Sequence, residues 1–133
     1  MLRCYDPSAL SRCDAMIQAD IKTIPNAKSL RTYTVTLTYP AFRCRYEMEP
    51  EKTNFAVMTI TYAPNEVIFD FPSFMAYLRS FEDTPISLES AANRVLDDMF
   101  ERLRPIWARV HVRTEREHGV VIEIAAEHGQ PVR

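Results

Sequence analysis

The order in which two periodicities follow one another constrains this chain more than any other feature. In TYTVTLTY, residues 32–39, Tyr33, Val35, Leu37 and Tyr39 alternate with threonines. A period of two in β-branched and aromatic residues describes a half-buried strand. FAVMTITY at 55–62 repeats the pattern, and EVIFDF at 66–71 adds a short extended piece. Pro40 reads as the end of the first strand, and the charged stretch AFRCRYEMEPEKTN that follows reads as a loop. The period then changes. In PSFMAYLRSF, Pro72 suits a first helical turn, and Phe74, Tyr77, Leu78 and Phe81 share one helical face. In ISLESAANRVLDDMFERL, Ser87 reads as an N-cap with Glu89 and Ser90 in the first turn. Leu88, Ala91, Ala92, Val95, Met99 and Leu103 form the buried stripe of that helix, and Pro105 follows its end. Alternation returns in IWARVHVRTE and GVVIEIAAE, with EHG between them as a hairpin turn.

Strand, strand, helix, helix, strand, strand is an α+β order. It predicts an antiparallel sheet with both helices on one side. Such a sheet keeps two long edges with unpaired backbone groups. Closure with further copies into a barrel removes them, so a homo-oligomer is expected. Residues 1–28 read as a leader or arm, and residues 29–133 as the folded domain. The 133-residue length suits a single domain.

Composition narrows the function. The net charge of -2 and a pI of about 5.9 supply no global basic field, so no direct nucleic-acid partner is expected. Gly119 and Gly129 are the two glycines, which excludes the glycine-rich loops that cradle nucleotide phosphates. Cys4, Cys13 and Cys44 make no CxxC pair and no metal spacing. That usage suits a reducing, cytoplasmic setting. No run has the length of a membrane span, and MLRCYDPSALSRC lacks the apolar core of a secretory signal. His111, His118 and His128 do not cluster, and adjacent Asp97 and Asp98 splay apart onto an expected solvated face. No metal site is expected.

The segments IKTIPN, RTYTVTLTYPAF, FAVMTITYAP, AYLRSF and ESAANRVLDDM, in this order and spacing, resemble the 7-cyano-7-deazaguanine reductases (QueF-type). The resemblance runs from about Ile21 to the last strand. TVTLTYPAF and NRVLDD are its most specific pieces. It implies the tunnelling fold, in which ββααββ units assemble into barrels. It also implies chemistry on a purine-like nitrile. A cysteine thiolate adds to the nitrile carbon, the thioimide takes two hydrides from NADPH, and the aminomethyl product serves queuosine formation in tRNA. Two alternatives remain open. One is an amidinotransferase-like enzyme, in which ammonia or an amine attacks the thioimide without NADPH. The other is a non-catalytic module that binds a deazaguanine or purine.

The resemblance assigns roles residue by residue. Cys44 is the cysteine nearest the family's nucleophile and is the expected catalytic residue. The family's cysteine stands about two residues further from the phenylalanine matched by Phe42, and proline follows it where Arg45 follows here. Arg43 and Arg45 favour a thiolate by their charge, although strand geometry points them away from Cys44. Glu89 matches the glutamate that holds the guanine-like edge. One carboxylate can accept two parallel N–H bonds from a lactam N–H and an exocyclic amine. Leu88 stands where the family has a histidine beside that edge. Phe69, Asp70 and Phe71 match a further substrate-contacting piece, and Ser80 and Phe81 match a serine and phenylalanine. Asn54 stands at the position of the family's proton-donating aspartate, with Glu47, Glu49 and Glu51 as candidate replacements. Pro72 and Met75 stand where lysines meet the NADPH phosphates, leaving Arg79 as the nearby cation. The cofactor-binding residues are therefore unassigned.

Overall fold

A computed structural model describes residues 20–130 of the chain. Two sheets and two helices build the domain. The larger sheet has the order β2-β3-β5-β6, with β2 at Val35–Arg45, β3 at Thr53–Ala63, β5 at Trp107–Glu115 and β6 at Val121–Gly129. All of its pairings are antiparallel. Helix α1 spans Phe71–Arg79 and helix α2 spans Leu88–Leu103. This is the ββααββ order expected from the periodicities. A two-stranded ribbon is added to it, formed by β1 at Thr23–Pro25 and β4 at Val67–Phe69.

The helical stripes point where their spacing requires. Phe74, Tyr77, Leu78 and Phe81 are fully or almost fully buried, as are Leu88, Ala91, Ala92, Val95, Met99 and Leu103. They pack on the inward residues of the two central strands, among them Met58, Ile60 and Tyr62 from β3 and Val110 and Val112 from β5. The Ser87 hydroxyl accepts from the Ser90 amide at 3.1 Å and starts α2 as expected. Asp70 does the same for α1, accepting from the Ser73 amide at 3.1 Å.

Two expectations need correction. Pro40 does not end β2, and AFRCR is strand rather than loop. β2 lies at the sheet edge, where a proline's missing N–H leaves no ladder bond unmade. The chain absorbs the proline as a bulge: Tyr39 pairs with Met58 but Phe42 pairs with Ala56, so β2 carries one extra residue. The bulge inverts the alternation. Val35, Leu37 and Tyr39 face the helices before it; Phe42 and Cys44, both fully buried, face them after it. Asp98 does not sit on a solvated face. Its carboxylate accepts from the Tyr77 hydroxyl at 2.5 Å and pairs with Arg94 Nε at 3.0 Å, tying α1 to α2. Burial raises the Asp98 pKa despite both partners.

The segment read as a leader divides. Residues 1–19, with Cys4, Cys13 and most of DAMIQADI, lie outside the described residues. Residues 20–28 include Ile21, which is buried in the core, and β1, which pairs with β4. Asn26 adds a side-chain bond to the Asn65 carbonyl at 2.8 Å and accepts from the Tyr33 hydroxyl at 2.7 Å.

Candidate active site

The inward side of β2 runs Phe42, Cys44 and then Tyr46 just past the strand end, because inward positions recur every second residue after the bulge. At that end a cleft of about 240 Å³ opens. Tyr46 and the following Glu47, Met48 and Glu49 form one wall. Ser87, Leu88 and Glu89, at the start of α2, form the other. Asn54 of β3 and Arg116 from the β5–β6 hairpin complete it. The cleft falls below the about 300–1,000 Å³ of drug-sized pockets and suits one small heterocycle.

Two backbone bonds fix the distance between the walls. The Arg45 amide donates to the Thr84 carbonyl at 2.9 Å, and the Ile86 amide donates to the Arg45 carbonyl at 3.2 Å. Residues 84–86 thus lie beside the end of β2, with Arg45 and Pro85 forming a parallel bridge. Helix α2 starts directly after this seam, which carries Glu89 to the cleft. The Glu89 side chain is exposed and has no hydrogen bond or ion pair among the described residues. Arg116 donates to the Tyr46 hydroxyl, and its guanidinium lies 5.4 Å from the Tyr46 ring centroid. Asn54 is 3% exposed, and its Oδ1 has no hydrogen-bond partner among the described residues.

Cys44 sits one layer behind this cleft and does not line it. It faces Asn54 across β2 and β3, and its thiol donates to the Ile86 carbonyl at 3.3 Å. Burial raises its pKa from 9.0 to about 11, although the positive charge of Arg116 pulls the other way. Arg43 and Arg45 point outward and pair with Glu82 and Asp83, each at 3.1 Å. A thiol with a pKa near 11 is ionised to roughly one part in ten thousand at pH 7. Iodoacetamide at pH 7.5 is therefore expected to label Cys44 at least about a hundredfold more slowly in the folded than in the urea-unfolded chain. Peptide mass mapping reads the difference, and equal rates would overturn the buried placement. The pH dependence has a fixed sign. The folded chain holds this proton after the unfolded chain has lost it, so the contribution is complete below pH 9 and is lost as the pH rises towards about 11.

The other matched residues gather elsewhere. Leu88 is buried and meets the cleft beside Glu89. Phe69 stacks on Phe74 with centroids 4.4 Å apart, Asp70 caps α1, and Phe71 is exposed at the first position of α1. None of these three lines the cleft with Glu89. Ser80 closes the end of α1 by donating to the Tyr77 carbonyl, and Phe81 packs 5.6 Å from Phe42. Of the candidate acids, Glu47 and Glu49 line the cleft and Glu51 does not. Glu49 is paired with Lys52 at 3.2 Å. Tyr46, Ser87 and Arg116 were not singled out as site residues by sequence. For Tyr46 a signal existed: it stands two residues beyond Cys44, where the family's nucleophile falls. Arg116 carried none, because only the hairpin returns it to the end of β2. Helix α1 does not fit a dinucleotide's phosphates. Asp70 places a carboxylate at its N-terminus, Pro72 and Met75 are uncharged, and Arg79 lies at its far end. No group of three or more metal-ligating side chains occurs among the described residues, and no helix there is long and apolar enough to cross a membrane.

Comparison with known proteins agrees with this architecture. The NADPH-dependent 7-cyano-7-deazaguanine reductase of Anaeromyxobacter dehalogenans is 31% identical over 111 residues, covering 84% of this chain and 90% of that protein. The protein of the same name from Thermosynechococcus vestitus is 29% identical over 114 residues, covering 86% of each. The crystal structure of the archaeosine synthase QueF-Like in the apo form superposes with a TM-score of 0.68 at 19% identity, over 80% of this chain and 100% of that chain. At that identity the likeness carries the fold, the tunnelling-fold unit expected above. The family profile described as QueF-like protein matches residues 53–133, which hold β3, both helices and the closing hairpin. The chain belongs to the QueF-like protein family.

Proposed function

We propose that this chain binds a 7-deazaguanine-class base in the cleft between the end of β2 and the start of α2, without forming a thioimide on Cys44. The observation that carries this reading is the contrast between two side chains. Glu89 stands free at the cleft, whereas the Cys44 thiol is buried, bonded to Ile86 and protonated at neutral pH. The ring N–H and exocyclic amine of an aminopyrimidinone edge match one carboxylate with two acceptors. The neighbouring Tyr46 ring offers a flat apolar surface to the heterocycle. Nucleophilic addition to a nitrile needs a thiolate within reach of the carbon. Cys44 supplies neither the charge nor the access, and Asn54 has no proton to give at neutral pH.

A second reading is nitrile reduction through a Cys44 thioimide with NADPH, and it is favoured by the names of the relatives. Calorimetric titration with 7-cyano-7-deazaguanine, followed by intact-mass measurement, separates the two. Binding heat with no mass gain is the expected result. A covalent gain that Cys44→Ala abolishes would overturn the proposal. NADPH consumption would then select reduction over amidine formation. No binding would leave the family and the fold alone.

Assembly of copies belongs to the same reading. β2 and β6 are edge strands of 11 and 9 residues. Free edges of that length pair readily with another chain. Light scattering at micromolar concentration is expected to give a multiple of the 15.4 kDa chain mass; a monomer would count against it.

A further inference from the structure

Met48 stands in water beside the cleft. It is 91% exposed, whereas Met58 and Met99 are fully buried. Among the residues that line the cleft it is the large apolar side chain left uncovered. Isolated exposed apolar residues are ordinary on protein surfaces, but two features set this one apart. The first is its place at the rim of a cleft whose walls also carry the Tyr46 ring and Leu88. The second is the segment that holds it. The Tyr46 amide donates to the Lys52 carbonyl at 3.0 Å, and the Lys52 amide donates to the Glu49 carbonyl at 2.9 Å. Lys52 Nζ also pairs with the Glu49 carboxylate at 3.2 Å. The connection from β2 to β3 is therefore a tied turn, and its backbone holds Met48 at the rim.

We propose that Met48 is a ligand-contacting residue that covers the heterocycle bound in the cleft, so that oxidation of its thioether weakens binding. This rests on the base-binding reading above and adds how the bound ring is shielded from water. Tyr46 and Leu88 give apolar contact from the walls, and Met48 supplies it from the rim. An unbranched side chain with three rotatable bonds reaches the ring without moving the tied backbone. A polarisable sulfur against an aromatic ring is a favourable contact, and the contact removes apolar surface of both partners from water. Oxidation reverses this. Hydrogen peroxide transfers one oxygen atom to the thioether and leaves as water, and the sulfoxide formed is polar.

The test treats the full chain with hydrogen peroxide, with and without saturating 7-cyano-7-deazaguanine. Trypsin cuts after Arg45 and Lys52 and releases YEMEPEK, in which Met48 is the only methionine. Peptide mass mapping is expected to show Met48 oxidised at least about fivefold more slowly with the base bound, because susceptibility follows exposure. Met75, which does not line the cleft, should react at an unchanged rate. Calorimetry is expected to give about threefold to tenfold weaker binding for Met48→Ala and for the peroxide-treated chain. Met48→Leu keeps an apolar cover, so it should bind like the unmodified chain and lose the peroxide effect. Neither substitution should move the melting temperature, because Met48 is exposed in the free chain. Unchanged oxidation with the base bound, or undiminished affinity of Met48→Ala, would overturn the cover and leave base binding standing. Protection that follows protein concentration instead of ligand would assign Met48 to a contact between copies and overturn it as well. No binding of the base would overturn both readings.

Discussion

Glu89→Gln is expected to weaken binding of a 7-deazaguanine by about a hundredfold or more. The carboxylate accepts two N–H groups at once, and a hydrogen bond involving a charged partner contributes about 1.5–3 kcal/mol. Glutamine keeps one acceptor and turns an N–H₂ towards the ligand's own donor. Loss and repulsion therefore act together, and about 1.4 kcal/mol corresponds to each tenfold step. Stability should change little, because Glu89 is exposed and its fold contribution is a first-turn charge near the positive end of α2, on the order of 0.3–1 kcal/mol. Calorimetry and thermal melting on the same preparations separate the two effects. An affinity loss below about threefold would remove Glu89 from the site.

Phe74→Ala is expected to destabilise the domain by about 3–5 kcal/mol, the range for deleting a fully buried aromatic ring. Phe74 stacks on Phe69 at 4.4 Å and on Tyr77 at 5.8 Å, and Phe69 in turn lies 5.4 Å from Tyr62. The ring thus joins the β1–β4 ribbon, α1 and the main sheet. Denaturant unfolding checks the value. A loss under about 1 kcal/mol would show that the ribbon and α1 are held by other contacts.

The fold was legible because its elements are strongly periodic. The stripe from Leu88 to Leu103 and the alternation in IWARVHVRTE each state which side is buried, and the structure follows both. Of the ribbon's two short strands, β4 lies within the extended piece EVIFDF, whereas β1 carried no period of its own. Of the residues that line the cleft, Glu47, Glu49, Asn54, Leu88 and Glu89 were named from the sequence, and the place of the last two in the first turn of α2 is set locally by Ser87. Cys44 lies in strand rather than loop, and its burial has a specific cause. Its charged neighbours suggest an exposed, activated thiol, but the bulge around Pro40 changes which residues of β2 face inward. A single inserted residue inverts the parity of everything after it, and nothing in local composition announces that inversion. Asp98 was misread in a similar way, because the residue that buries it, Tyr77, lies on another helix.

The bridge between Arg45 and Pro85 has a consequence for what the cleft can admit. Its two amide–carbonyl bonds, reinforced by the Cys44 thiol on Ile86, behave as a clasp across the base of the opening. Widening the mouth would tear that clasp before it moved Glu89. If the cleft takes a base as proposed, an opening held at fixed width would turn an oversized guest away rather than wrap it.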